Sequence, residues 1–412
     1  MIKRAVNYIR EKIIYRNLTL NFRYLYFSRI TINSATQLMG LFLPIFLYQF
    51  LGFNIFLVVL YYLILDVLYC SLVIWACRFA INKFGIKLSL QISVFFGAIY
   101  YFIFFLINQY ANLGGELFST NHLLYLAPAL FFSLMFRLTH WIPYHTNLAK
   151  LTEKNIRARQ LSLMEATMMA LGAVMPLIAG FVLDNLGYSY LFALAMSVYL
   201  LAIWPFSFLP KIFEKFSWSH KKTWQVLFSK KMRPSILAYI GDGAEGIVGV
   251  VIWPIFIWQI LEGNYFQVGL ISSLIIFTTI LLQIVIGRFI DKAQNRRRLL
   301  RYGAIFYSFG WVLKVLINSS FQIFLFSTYH NLSRVFSRTS FDTMNYDIAA
   351  DQGCYVDEYT AVREIAVLLG KILMAILIII ILPYFSLRYI FVIAALASLL
   401  MSLLKQVEAI SD

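Results

Sequence analysis

Long apolar runs separated by short polar turns fill the chain from residue 28 to residue 404. A helix that crosses a bilayer needs about 20 such residues. Twelve runs meet or approach that length: 28–51, 55–77, 89–108, 122–146, 161–183, 189–209, 235–260, 266–287, 302–318, 321–345, 364–383 and 387–404. The ninth is short. The turns between them are unequal in charge. With the N-terminus inside, the inner connections and tails carry 28 of the 35 Lys and Arg residues. The outer loops 52–54, 109–121, 184–188, 261–265, 318–320 and 384–386 carry none. That bias predicts an integral protein of the cytoplasmic (inner) membrane with both termini in the cytoplasm.

The twelve runs repeat as six and six. Leu43-Pro44-Ile45-Phe46-Leu47-Tyr48-Gln49 in the first matches Trp253-Pro254-Ile255-Phe256-Ile257-Trp258-Gln259 in the seventh, at an offset of 210. Asn82 and Asp291 pair at 209, and Arg137 and Arg334 at 197. Glu165 pairs with Glu364, and Tyr190-Leu191-Phe192 with Tyr389-Ile390-Phe391, both at 199. The offset falls where the first half carries its longer outer loop. Six spans per repeat give both halves one orientation, related by an axis along the membrane normal. The predicted organisation is a cytoplasmic segment (1–27), a six-helix half (28–209), a basic cytoplasmic linker (210–234), a second six-helix half (235–404) and a tail (405–412). The fold class is an all-α membrane protein of twelve transmembrane helices with pseudo-two-fold symmetry.

Composition agrees: 61% of residues are hydrophobic and 13% charged, with mean hydropathy +0.76. A net charge of +16 suggests nucleic acid in a soluble chain. Here the positive residues are interrupted by lipid-length runs, so membrane lipid is the expected partner and nucleic acid is not. Cys70, Cys77 and Cys354 form no CxxC and no metal spacing, so neither a disulfide framework nor a metal site is expected. No cofactor is expected either. Residues 1–23 hold six Lys and Arg without an apolar core and cleavage site, which predicts an interfacial segment and no cleaved signal.

One turn is distinctive. Gly287-Arg288-Phe289-Ile290-Asp291-Lys292 runs through Ala293, Gln294 and Asn295 to Arg296-Arg297-Arg298 between the eighth and ninth runs. Gly287 lets a neighbouring helix approach, Asp291 suits the positive end of a helix, and the arginines suit an anionic surface. This resembles the signature loop of the major facilitator superfamily, Gly-x-x-x-Asp-Arg/Lys-x-x-x-Arg/Lys-Arg/Lys. A degenerate copy, Asn82-Lys83-Phe84-Gly85-Ile86-Lys87, follows the second run, with Arg78 in the glycine position. Arg137 resembles the arginine of that family's fourth-helix motif, with Trp141 where a glycine is usual. Met175-Pro176-Leu177-Ile178-Ala179-Gly180 is similar to the fifth-helix motif of its antiporter branch, departing at Met175 and Ala179. The resemblance implies a conformational lock in which loop 287–299 meets the inner end of the fifth helix near Arg159 and Glu165. The expected gating set is therefore Asn82, Gly85, Glu165, Gly287, Asp291, Arg296, Arg297 and Glu364.

Charges within spans are costly, about 2.5–3.5 kcal/mol each at a helix centre, so they face protein or water. The resemblance implies a cavity lined by the first, fourth, seventh and tenth helices, and those hold most of the charge. The first offers Arg29, Asn33 and Gln37, and the fourth Arg137, His140, Trp141 and Tyr144. The seventh offers Asp242 and Glu245 in a glycine-rich start able to bend. The tenth offers Arg334, Arg338 and Asp342, one stripe at i, i+4 and i+8. These twelve are the candidate substrate-binding residues. Arg137 and Arg334, related by the repeat, favour an anionic or strongly polar group. Asp66 is expected to satisfy a neighbouring helix, Lys314 to snorkel from an outer end, and Glu165 and Glu364 to begin their helices as N-terminal carboxylates.

These features predict a secondary active transporter, a monomer, moving a small polar or anionic solute by alternating access, with acidic residues available for proton coupling. A proton antiporter exporting drug-like or cationic compounds is the alternative the fifth-helix motif suggests. A substrate-sensing receptor that has lost transport is the alternative of another class, and an uptake assay separates it. No P-loop, HExxH or nucleophile elbow is present, so an enzyme is not expected.

Overall fold

The computed structural model describes residues 20–112, 122–152, 156–212, 216, 218–290, 296–350 and 356–405. All elements among them are helical. The first half comprises α1 (Leu20–Gly40) with α2 (Phe42–Phe50), α3 (Ile55–Phe79), α4 (Gly85–Asn112), α5 (Ala127–Leu151), α6 (Arg157–Leu186) and α7 (Tyr188–Leu201). A short helix, α8 (His220–Leu227), lies in the linker. The second half comprises α9 (Arg233–Ile247) with α10 (Trp253–Ile260), α11 (Tyr265–Ile290), α12 (Arg296–Lys314), α13 (Ser320–Ala350), α14 (Val356–Ile381) and α15 (Tyr389–Leu400). Seven spans are long and apolar enough to cross a membrane by themselves, or eight with the bent pair α1–α2 counted as one. Polar residues along α5, α12 and α13, and the shortness of α15, hold the others below that test.

The repeat predicted from sequence is visible in atomic detail. Phe46 and Phe192 meet edge to face at 5.0 Å and 84°, and their repeat partners Phe256 and Phe391 meet at 5.0 Å and 82°. The turn after α2 has positive φ at Gly52 and Phe53, and the turn after α10 has it at Glu262 and Gly263. In each, the side chain of an asparagine (Asn54 or Asn264) accepts a hydrogen bond from the backbone N–H three residues on. The first span bends by 43° between α1 and α2, and the seventh loosens into a π-helical turn at Val248–Ile252. Pro44 and Pro254 explain both breaks. Each removes a backbone N–H and crowds the carbonyl four residues earlier, at Gly40 and Val250.

Packing repeats as well. The fifth and sixth spans pack on the first as the eleventh and twelfth pack on the seventh, and the third joins the fourth and sixth as the ninth joins the tenth and twelfth. Between halves, α6 packs along α11 and α3 along α14, while α2 meets α10. Gly180 and Gly269 let α6 and α11 cross closely. A Cβ on Gly180 would lie 2.7 Å from the Tyr265 carbonyl oxygen, so the glycine of the antiporter-like segment serves helix contact here.

Two expectations change. Helix α6 begins at Arg157 and α14 at Val356, so Glu165 and Glu364 lie more than two turns inside. The helix-dipole benefit is confined to the first turn and does not reach them. Lys314 does not snorkel. It is 3% exposed, with Nζ 3.9 Å from the Trp253 ring centre and 4.0 Å from that of Trp311. Two aromatic faces substitute for water around the ammonium.

Candidate functional site

The charged residues divide into paired and unpaired sets. Asp66 on α3 accepts a 2.6 Å hydrogen bond from Arg137 Nη1 on α5, with the aspartate side chain 3% exposed. This pair lies within the first half and binds the second span to the fourth. In the second half Arg338 bridges two carboxylates, donating to Asp242 of α9 and, through Nε at 3.0 Å, to Asp342 one turn along α13. Glu245, 3% exposed, accepts a 2.8 Å hydrogen bond from the Tyr307 hydroxyl of α12.

Arg334 differs from all of these. It is exposed, and no carboxylate lies within ion-pair distance of it among the described residues. It nonetheless sits within electrostatic range of Glu245, Asp242 and Arg338, and of Glu165 across the halves. Its charged neighbours thus come from both halves. Arg29 on α1 lies over the Tyr144 ring at 4.7 Å and the Trp141 ring at 5.4 Å, and its buried Nε has no hydrogen-bond partner. Glu165 on α6 is exposed, without an ion pair among the described residues, and within range of Arg29, Arg334, Arg338 and Asp342. Glu165 thus has Arg29 of the first half and Arg334, Arg338 and Asp342 of the second within electrostatic range, with Trp141 and Tyr144 beneath Arg29.

Other candidates stand elsewhere. His140 is fully buried, with Nδ1 3.0 Å from the Ser93 hydroxyl of α4 and its ring stacked on Phe136. It packs the third span against the fourth and does not line the cavity. Asn33 Nδ2 is buried without a partner, and the Gln37 amide lies beside Gly172 of α6. Gly241 and Gly243 seat α9 against α15 and α14 respectively, so those two are contact glycines; the π-helical turn beyond them provides the irregularity expected of a glycine-rich start.

Of the gating set, Asn82 Oδ1 accepts from the Phe216 backbone N–H at 3.0 Å, tying the second-to-third turn to the linker. Gly85 adopts φ +71°, a conformation costly for other residues. Gly287 lies within α11, and Arg296 and Arg297 open α12. Asp291, and with it the contact of its loop with α6, lies outside the described residues. Glu364 is half-buried on α14. Tyr307 was not among the residues singled out by sequence, and neither was Arg363, whose guanidinium lies 5.8 Å from the Tyr239 ring. A tyrosine in an aromatic-rich span carries no signal of its own. A depression of about 380 Å³ between Ile260–Gln267 and Ser319–Ser320 lies among loops and contains none of the candidate arginines.

Two half-bundles of helices define the fold, and comparison with known proteins agrees. Residues 235–407 match the family model described as Major Facilitator Superfamily. A POT family transporter solved in complex with 5-aminolevulinic acid superposes with TM-score 0.68 at 12% identity, covering 93% of this chain and 94% of that one. A POT family transporter solved with a thioalcohol-conjugated peptide superposes with TM-score 0.70 at 11% identity, with the same coverage. No curated protein matches in sequence. The second half of the chain thus matches the major facilitator superfamily model, and the chain as a whole shares the fold of the two transporters.

Proposed function

We propose that this protein is a secondary active transporter that moves a small polar solute bearing an anionic group by alternating access between its two halves. The observation that carries this is Arg334, an exposed guanidinium with no carboxylate in ion-pair distance among the described residues. A charge kept within the membrane without a partner is expensive, and a substrate carboxylate or phosphate would supply the missing charge-assisted hydrogen bonds. Arg29 offers a second cation from the other half. Glu165 is placed to answer an amine, which favours a solute carrying both charges. The ligands in the two fold neighbours, 5-aminolevulinic acid and a peptide conjugate, are of compatible size and polarity.

The basic face of the bundle is taken as cytoplasmic, on the distribution of Lys and Arg. At the opposite face Gln259 Nε2 donates to the Tyr48 hydroxyl at 2.9 Å, and the Tyr265 hydroxyl donates to Gln49 Oε1 at 2.8 Å. Both bonds join the halves and support a state closed to the outside. Glu245, buried against Tyr307, is the carboxylate best placed to carry a coupling proton.

A thermal-shift screen of purified protein against anionic, zwitterionic, neutral and cationic solutes tests the assignment. Stabilisation by an anionic or zwitterionic solute, lost in Arg334→Gln, is expected. A lipophilic cation that stabilises wild type and Arg334→Gln alike would overturn it.

A further inference from the structure

The linker forms a surface of mixed cationic and aromatic residues. Helix α8 opens on Ser219, whose hydroxyl accepts from the Lys222 backbone N–H. It buries Thr223 and Leu227 and packs against α14. At its start the His220 ring lies 6.0 Å from that of Trp75 near the end of α3. Because α3 belongs to the first half and α14 to the second, α8 bridges the seam between them on the basic face. Its chain is held there by Asn82 Oδ1 and by the Ile86 N–H, which donates to the Ile212 carbonyl.

The outward side of this bridge mixes cations with bare rings. Lys221, Lys230, Lys231 and Arg233 are exposed, and so are Phe228 at 75%, Trp75 at 66% and Phe79 at 55%. Lys83 lies over the Phe79 ring at 5.0 Å. Lysines alone would suit any polyanion. Aromatic rings exposed beside them suit a surface whose anionic groups sit directly above hydrocarbon.

We propose that α8 and the adjoining end of α3 form a docking site for anionic phospholipid of the bilayer leaflet, which clamps the α3–α14 seam from the membrane side. A headgroup phosphate meets Lys221, Lys230 and Lys231 while Phe228 and Trp75 enter the acyl boundary. Since α8 contacts both halves, occupancy of this site favours the arrangement in which α3 and α14 stay together.

The test uses the full chain in neutral detergent, with phosphatidylglycerol or phosphatidylcholine of equal chain length added. Wild type should be stabilised by phosphatidylglycerol well beyond phosphatidylcholine. The triple variant Lys221→Gln, Lys230→Gln, Lys231→Gln should keep its Tm in phosphatidylcholine and lose at least about tenfold in apparent phosphatidylglycerol affinity. Phe228→Ser should weaken the same effect with all lysines in place. A control neutralising Lys3, Arg4 and Arg10 should retain it. Full phosphatidylglycerol preference in the triple variant, equal loss in the control, or equal stabilisation of wild type by soluble heparin would each overturn the proposal.

Discussion

Arg137 and Arg334 occupy matching positions in the two halves, yet among the described residues only Arg137 has a carboxylate within ion-pair distance. Counting from the matched turns at Asn54 and Asn264, whose hydrogen bonds repeat at an offset of 210, the second-half position equivalent to Asp66 is Ile276. The first half thus closes its arginine into a buried pair, while the second leaves its arginine exposed. Ancestry by repeat gives two arginines the same address. The neighbouring helix decides which is structural and which is available to a ligand.

The largest effects should separate the two arginines by kind. Arg334→Gln should reduce solute binding by about 1.5–3 kcal/mol, roughly tenfold to over a hundredfold, with Tm nearly unchanged. Arg137→Gln should instead cost about 3–5 kcal/mol of stability by leaving Asp66 buried and unpaired, and adding Asp66→Asn should restore most of it. Thermal unfolding and ligand titration on the same four proteins check this. Equal loss of binding at matched stability in both single variants would remove the distinction.

The asymmetry can also be erased. Ile276→Asp gives the second half the carboxylate that the first half has. An unpaired aspartate there costs about 2.5–3.5 kcal/mol, so the variant should fold well only while Arg334 is present to pair with it. Its solute affinity should fall toward that of Arg334→Gln. If Ile276→Asp is equally stable with and without Arg334, the two positions do not meet and the repeat alignment fails there.

How much of this was legible beforehand depended on whether the signal was local. The internal repeat and the tenth-helix stripe follow from residue type and spacing, and the structure carries both. Asp66 was expected to serve a neighbouring helix, but that the neighbour was Arg137 needed the approach of α3 to α5, which no spacing encodes. Lys314 failed because position along a helix does not reveal which face turns inward. Glu165 and Glu364 failed because helices α6 and α14 start several residues before their apolar runs do; polar residues can begin a helix that lipid does not yet cover. His140 failed for a related reason, since a polar ring on a cavity helix can equally satisfy a serine behind it.

Where the halves do behave alike, the effect should be intermediate. Gln49 and Gln259 are repeat partners, and each joins the opposite half through a tyrosine. Replacing both by Ala should remove about 0.5–1.5 kcal/mol per bond and shift the population toward opening of that face. Single-cysteine labelling at that face, on a background without native cysteines, should speed up accordingly, and more in the double variant than in either single one. Unchanged labelling would mean that packing of α6 on α11 alone keeps it closed.

The smallest effect belongs to Lys314, a buried cation of the second half. Its ammonium lies between Trp253 and Trp311, and the two contacts are worth on the order of 2 kcal/mol each when desolvated. Burial of the charge costs several kcal/mol in the other direction. Lys314→Met removes both terms and keeps a flexible apolar side chain of similar length, so stability should change by no more than about 1 kcal/mol. Trp311→Leu removes one ring and leaves the charge in place, and also strips the ring contacts with His330 and Phe391. It should therefore cost more than the lysine substitution, and the double variant should cost less than the sum of the two singles. That sign of non-additivity is the measurement to make. A strictly additive double variant would show that the ammonium draws nothing from the Trp311 ring.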